Sequence, residues 1–152
     1  MRAVQQVVSL LATAVMLSCV SNLRSPEQFA GTWGWTELGP SCAENPHSIT
    51  FSADHEFMEL QMRDPTTARW GETVQTVRYR VLGWTREGHL RTQIIGEKET
   101  APDGSLLVWD LVRLSPDRYC WHRADWALDE CTAPMERCRP GLPTDGGAPS
   151  RR

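Results

Sequence analysis

The chain has 152 residues, 40% of them hydrophobic, with seven Trp and a formal charge of −3. That length suits one compact domain with appendages and excludes two full cores, and the mild acidity gives no basic footprint for nucleic acid. Lys98 is the single Lys among sixteen basic residues, an Arg bias that a GC-rich genome produces without any phosphate-binding role.

The first eighteen residues read as a signal peptide. Arg2 supplies the positive n-region, and the apolar run from Val7 to Leu17 is too short for a hydrocarbon layer that needs about twenty residues. Met16-Leu17-Ser18-Cys19 resembles the lipobox of bacterial lipoproteins, with Met16 in place of the more usual Leu. The resemblance implies that Cys19 is lipidated and becomes the mature N-terminus. It implies a membrane partner through that anchor and a place in the bacterial cell envelope. Val20 after the Cys points to the outer membrane. Residues 19–28 are then the lipidated N-terminus and a tether averaging about 15–18 Å.

Residues 29–138 are expected to form the folded domain. Phe29-Ala30-Gly31-Thr32-Trp33 opens a first strand over 31–37, where Gly31 lets the chain bend and Trp33 enters the core. A turn-rich loop follows, then a strand over 47–52. Phe57 to Arg63 alternates Met58, Leu60 and Met62 against Glu59, Gln61 and Arg63, the pattern of a half-buried antiparallel strand. Residues 64–73, with Pro65 and Trp70, read as a connection. A long strand over 74–84 places Val77, Tyr79 and Val81 against Arg78 and Arg80, and a bulge near Gly83 is needed to return Trp84 inward. Further strands are predicted from Leu90, over 106–114 after the Pro102-Asp103-Gly104 turn, over 118–123, and near 126–133. Residues 139–152 read as a disordered tail. The fold class is all-β: a small antiparallel meander barrel of seven or eight strands, closed to hide its edges.

Apart from Cys19, Cys42, Cys120, Cys131 and Cys138 are an even set, which in an exported chain predicts two disulfides with three possible connectivities. The short loop between Cys131 and Cys138 favours a bridge there, leaving Cys42 for Cys120. A Cys₃His zinc site with His122 is the alternative, but its spacing matches no common zinc pattern.

Gly31-Thr32-Trp33 before such a meander resembles the Gly-x-Trp signature of the calycin group, which includes the lipocalins. The resemblance implies an eight-stranded barrel with Trp33 plugging one end and an Arg stacked on it, with Arg118 and Arg123 as candidates. Two neighbouring motifs are missing: the late Thr-Asp element, and the later glycines of haem-binding nitrobindins, replaced by Trp35 and Glu37. No haem, other cofactor or metal is therefore expected.

No nucleophile elbow, P-loop, metalloprotease helix or dinucleotide fingerprint occurs. His47, His55, His89 and His122 are scattered. His55 and His89 fall at turns as solvated residues, and His122 is expected to be structural. Asp110 is expected in an outward cross-strand salt bridge, and Arg78 and Arg80 on a solvated face. Trp33, Trp109 and Trp121 sit in strands, whereas Trp35, Trp70, Trp84 and Trp126 lie near ends and loops. The expectation is a monomeric, non-catalytic binding module for a small hydrophobic ligand or lipid. Leu60, Tyr79, Trp84 and Trp109 are its candidate ligand-binding residues, and Gly31 and Trp33 its structural signature. A protein-interaction or inhibitor module of the envelope is the alternative.

Overall fold

Strands that alternate apolar and polar residues can bury one face, and a meander of them hides that face by closing on itself. The computed structural model describes residues 24–36, 42–67 and 71–139. The signal peptide, Cys19, Trp70 and all of the tail but Arg139 lie outside them. Eight strands follow in order: β1 (Gly31–Trp35), β2 (His47–Phe51), β3 (Phe57–Thr67), β4 (Thr73–Trp84), β5 (Leu90–Ile94), β6 (Trp109–Ser115), β7 (Arg118–Arg123) and β8 (Met135–Arg137). Each pairs antiparallel with the next, and β8 pairs with β1 to close the barrel. The meander barrel expected from the sequence is present, with eight strands.

Inward positions carry the apolar set. Met58, Leu60 and Met62 of β3 are buried while Glu59, Gln61 and Arg63 are exposed. Several boundaries differ from the expectation. β3 runs on through Pro65 to Thr67, because a register shift between Gln61 and Thr66 accommodates a residue that cannot donate to the ladder. β6 starts at Trp109, and Leu106 makes only an isolated bridge with Thr100 around the 102–104 turn. The last strand is 135–137 rather than 126–133: Met135, almost fully buried, supplies the inward residue, and the ladder to β1 sets its place. The expected bulge in β4 is present between Val81 and Gly83, with Gly83 at φ 115.

A 3-10 helix, Pro26–Phe29, closes the end of the barrel where β1 begins. Pro26 and Phe29 are both buried there, so the last residues expected as tether belong to the folded unit. Phe29 meets Trp84 and Tyr119 at ring distances of 6.5 and 6.0 Å. Trp33 donates its indole N–H to the Phe29 carbonyl at 2.9 Å. Arg137 lies 4.1 Å above the Trp33 ring, and its two terminal nitrogens donate to the carbonyls of Ala30 (2.8 Å) and Gln28 (2.9 Å). This corrects the choice of Arg118 or Arg123. In the closing ladder Arg137 stands directly opposite Trp33, whereas Arg118 pairs outward with Glu136. Gly31 has φ +125, and a Cβ there would sit 2.7 Å from Arg137 Nη1.

The two disulfides join Cys42 to Cys138 and Cys120 to Cys131. The expected 131–138 and 42–120 pairs are thereby corrected, and no sulfur of this set is left for a zinc site. Cys138 follows β8 and its N–H donates to the Thr32 carbonyl, so the bond holds Cys42 beside the β1–β8 ladder. Cys120 and Cys131 clamp the β7–β8 segment against β7, where Thr132 N–H also donates to Trp121 O.

Candidate functional site

The two ends of the barrel differ in their connections. At the end plugged by Phe29, short turns link β2 to β3, β4 to β5 and β6 to β7. At the other end the β5–β6 and β7–β8 connections are long, spanning 95–108 and 124–134. That end holds a cavity of ≈ 390 Å³ lined by eleven residues. At roughly 30 Å³ per water-sized unit it accommodates about a dozen non-hydrogen atoms. It lies near the lower edge of the usual range for ligand pockets, about 300–1,000 Å³.

The strand pleat explains the lining. Leu60 and Met62 are the inward residues of β3 beyond Met58, and on β4 Val77 stands opposite Leu60 and Tyr79 opposite Met58. Trp35 ends β1, Ile94 ends β5 and Trp109 starts β6, so each reaches the same rim. Trp121 of β7 stacks on Tyr79 at 5.4 Å and meets Trp109 edge-on at 6.3 Å. The hydroxyls of Thr66 and Thr132 are the aliphatic polar groups of the wall. Thr132 Oγ1 accepts from Trp121 N–H at 3.0 Å and donates to the Ala133 carbonyl at 3.2 Å.

Of the residues singled out in the sequence, the cavity brings together Leu60, Tyr79 and Trp109. Trp84 is placed elsewhere: the bulge that turns it inward also sets it at the closed end, against Phe29. Gly31 and Trp33 belong to the same plugged end. Trp35, Trp121, Met62, Val74, Val77 and Ile94 complete the lining with the two threonines; the alternation of their strands makes the apolar six inward, and the parity of their positions was the available signal.

Below the cavity, His47 of β2 and Tyr119 of β7 meet across the barrel. Both are fully buried, with Tyr119 Oη 2.7 Å from His47 Nε2. Among the described residues His47 Nδ1 has no hydrogen-bond partner. The cheaper arrangement has Tyr119 donating to Nε2, with the imidazole proton on Nδ1, since the reverse leaves the phenol proton orphaned as well. Burial lowers the His47 pKa to about 4 and pushes the Tyr119 hydroxyl well above its ordinary value.

At the rim, Arg123 forks onto Asp125 at 2.9 and 2.7 Å and lies over the rings of Trp109 and Trp126. The pair holds the Asp125 carboxyl below its usual range. On the outer face, Arg91 makes two 2.9 Å hydrogen bonds to Asp110, the cross-strand pair expected, with Asp110 itself buried. His122 is buried beneath the β7–β8 segment, where its Nδ1–H donates to the Glu130 carbonyl at 2.7 Å. His55 is partly exposed beside Glu27. Arg78 pairs with Glu59 across β3 and β4 in solvent. Among the described residues no group of three His, Cys, Asp or Glu is arranged to hold a metal ion, and no helix is long and apolar enough to cross a membrane.

No protein-family model matches the chain, and no curated protein matches it in sequence.

Proposed function

We propose that the chain is a non-catalytic binding module of the bacterial envelope, lipocalin-like in build and anchored through a lipid on Cys19, that takes a small apolar ligand into the open end of its barrel. The observation that carries the proposal is the ≈ 390 Å³ cavity with an almost wholly apolar lining, placed above a plugged floor. A barrel closed at one end and lined by Trp and Tyr at the other offers a ligand apolar contact without exposing strand edges. The buried histidines are engaged in holding the barrel, His47 by Tyr119 and His122 by a backbone carbonyl, which favours binding over proton transfer. The lipobox-like Met16-Leu17-Ser18-Cys19 supports the anchor.

Native mass spectrometry of the protein extracted from its host membranes tests both parts. The expected result is a diacylglyceryl mass on Cys19 and a co-purifying small molecule that is lost on unfolding. An unmodified Cys19 overturns the anchor. Failure of any apolar probe to saturate the barrel overturns the binding function.

A further inference from the structure

Resting on the proposal that Cys19 carries a lipid, the point at which the chain enters the barrel decides how the domain stands on its membrane. Three side chains fix that point at the plugged end. A Glu27 carboxylate oxygen is 3.1 Å from His55 Nε2 in the β2–β3 turn. Gln28 accepts a 2.9 Å hydrogen bond from Arg113 beside the β6–β7 turn, and Phe29 packs on Trp84 beside the β4–β5 turn. Pro26 is buried with Phe29, and the exposed Arg24 stands just before it in the chain. The 3-10 helix thus reaches all three turns of that end, and the incoming chain meets the fold there.

Chain length then sets the reach. Cys19 and Arg24 are five residue steps apart, which span at most about 18 Å and about 12 Å on average. The barrel is longer. On β4, Trp84 touches the plug and Val74 lines the cavity, ten residue steps away. Ten steps are about 33 Å of strand, or about 25 Å along the axis at the usual tilt. A domain with its mouth on the bilayer would hold Arg24 about 25 Å above the surface, beyond the extended tether. Exposed apolar residues do not choose between the ends: Leu82 and Leu114 lie toward the plug, and Ile95, Leu106 and Leu128 toward the mouth. The tether does.

We infer that this short tether holds the barrel plug-down. The plugged end faces the bilayer that carries the Cys19 lipid, and the mouth opens into the aqueous phase. What enters the cavity arrives from solution rather than from the anchoring leaflet.

Lys98, the single Lys of the sequence, is exposed in the 95–108 connection at the mouth, and Arg86 is exposed on the β4–β5 turn at the plug. An amine-reactive fluorescent donor therefore marks the mouth in the parent protein and the plug in R86K/K98R. The lysine-free K98R gives the blank for any label on the terminal amine. The full lipidated chain is reconstituted in phosphatidylethanolamine–phosphatidylglycerol vesicles with acceptors on the lipid headgroups. Energy transfer falls steeply with height above the bilayer, and it is expected to be several-fold greater from position 86 than from position 98. About twenty Gly-Ser residues inserted between Asn22 and Leu23 lengthen the average tether to about 25–30 Å, as long as the barrel, and are expected to remove most of that difference. Equal transfer, greater transfer from position 98, or a difference unchanged by the insertion overturns this inference alone. Failure of the protein to float with the vesicles overturns the lipid anchor, and this inference with it. Absence of saturable 2-naphthalenemethanol binding in equilibrium dialysis overturns the cavity as a ligand site, and with it the arrival of a ligand at the mouth.

Discussion

Tyr119 and His47 join β7 to β2 through the barrel interior by a 2.7 Å hydrogen bond, and the far nitrogen of that imidazole is buried without a partner. The folded protein therefore holds His47 neutral, with a pKa of about 4 against an ordinary 6.5. Between those values the unfolded chain binds a proton that the folded chain refuses. Stability is full above pH 6.5, falls as pH drops toward 4, and from this group changes no further below it. The loss amounts to roughly 3 kcal/mol. Urea melts from pH 7.5 to 4 are expected to show that slope, and His47→Gln to flatten it. The carboxyls of Glu87, Asp54, Asp103 and Asp125, held low mainly by hydrogen bonds, add a slope of the same sign from about pH 5 downward, where the unfolded chain begins to protonate them, so the upper part of the window is clear of theirs.

Tyr119→Phe removes the hydroxyl and strands a second nitrogen of a histidine that stays buried. The expected cost is about 1–3 kcal/mol in urea melts at pH 7.5. A stability equal to that of the parent protein would show that the imidazole finds another partner.

The disulfides span very different lengths of chain, 96 residues for Cys42–Cys138 and 11 for Cys120–Cys131. Chain entropy assigns about 4.7 kcal/mol to the long loop and about 3 to the short one. The double variant C42S/C138S is therefore expected to lose about 2 kcal/mol more than C120S/C131S. Peptide mapping without reduction checks the pairing directly.

Arg137 is held by the Trp33 ring and by two carbonyls of the plug. Arg137→Ala is expected to cost about 2–4 kcal/mol, and Arg137→Lys to recover less than half, because an ammonium cannot fork between Ala30 and Gln28. Gly31→Ala pushes a methyl to 2.7 Å from the same guanidinium, at a φ that side chains avoid. Its expected cost is about 1–3 kcal/mol, read by thermal melting.

Filling the cavity tests whether its volume matters. Val77 is half-buried on the wall and Val77→Phe projects a ring into the space. Binding of 2-naphthalenemethanol is expected to weaken by about tenfold or more, while the melting temperature moves by only a few degrees because the ring enters a void rather than packed core.

Much of this architecture was legible because strands announce themselves by alternation. Met58, Leu60 and Met62 fixed the face of β3, and Gly83 marked where the pleat of β4 had to slip for Trp84 to turn inward. What alternation cannot supply is the end of the barrel at which an inward residue sits. Leu60 and Trp84 both point in, yet one lines the mouth and the other the plug, and only register across several strands separates them. The same limit hid Arg137. Its place above Trp33 depends on the ladder between β1 and β8, residues about a hundred positions apart, and β8 itself is too short to show a period. The buried His47–Tyr119 pair was hidden for the same reason, since neither neighbourhood in the chain mentions the other.

The disulfides are nested, Cys120–Cys131 lying wholly inside the span closed by Cys42–Cys138. Of the four cysteines in these bonds, a chain oxidised from its N-terminal end presents Cys42 and Cys120 first, and joining them is an error. The outer bond becomes available only when the last cysteine arrives and β8 docks on β1. Any Cys42–Cys120 bond formed on the way has to be reopened by thiolate attack before both native pairs can form.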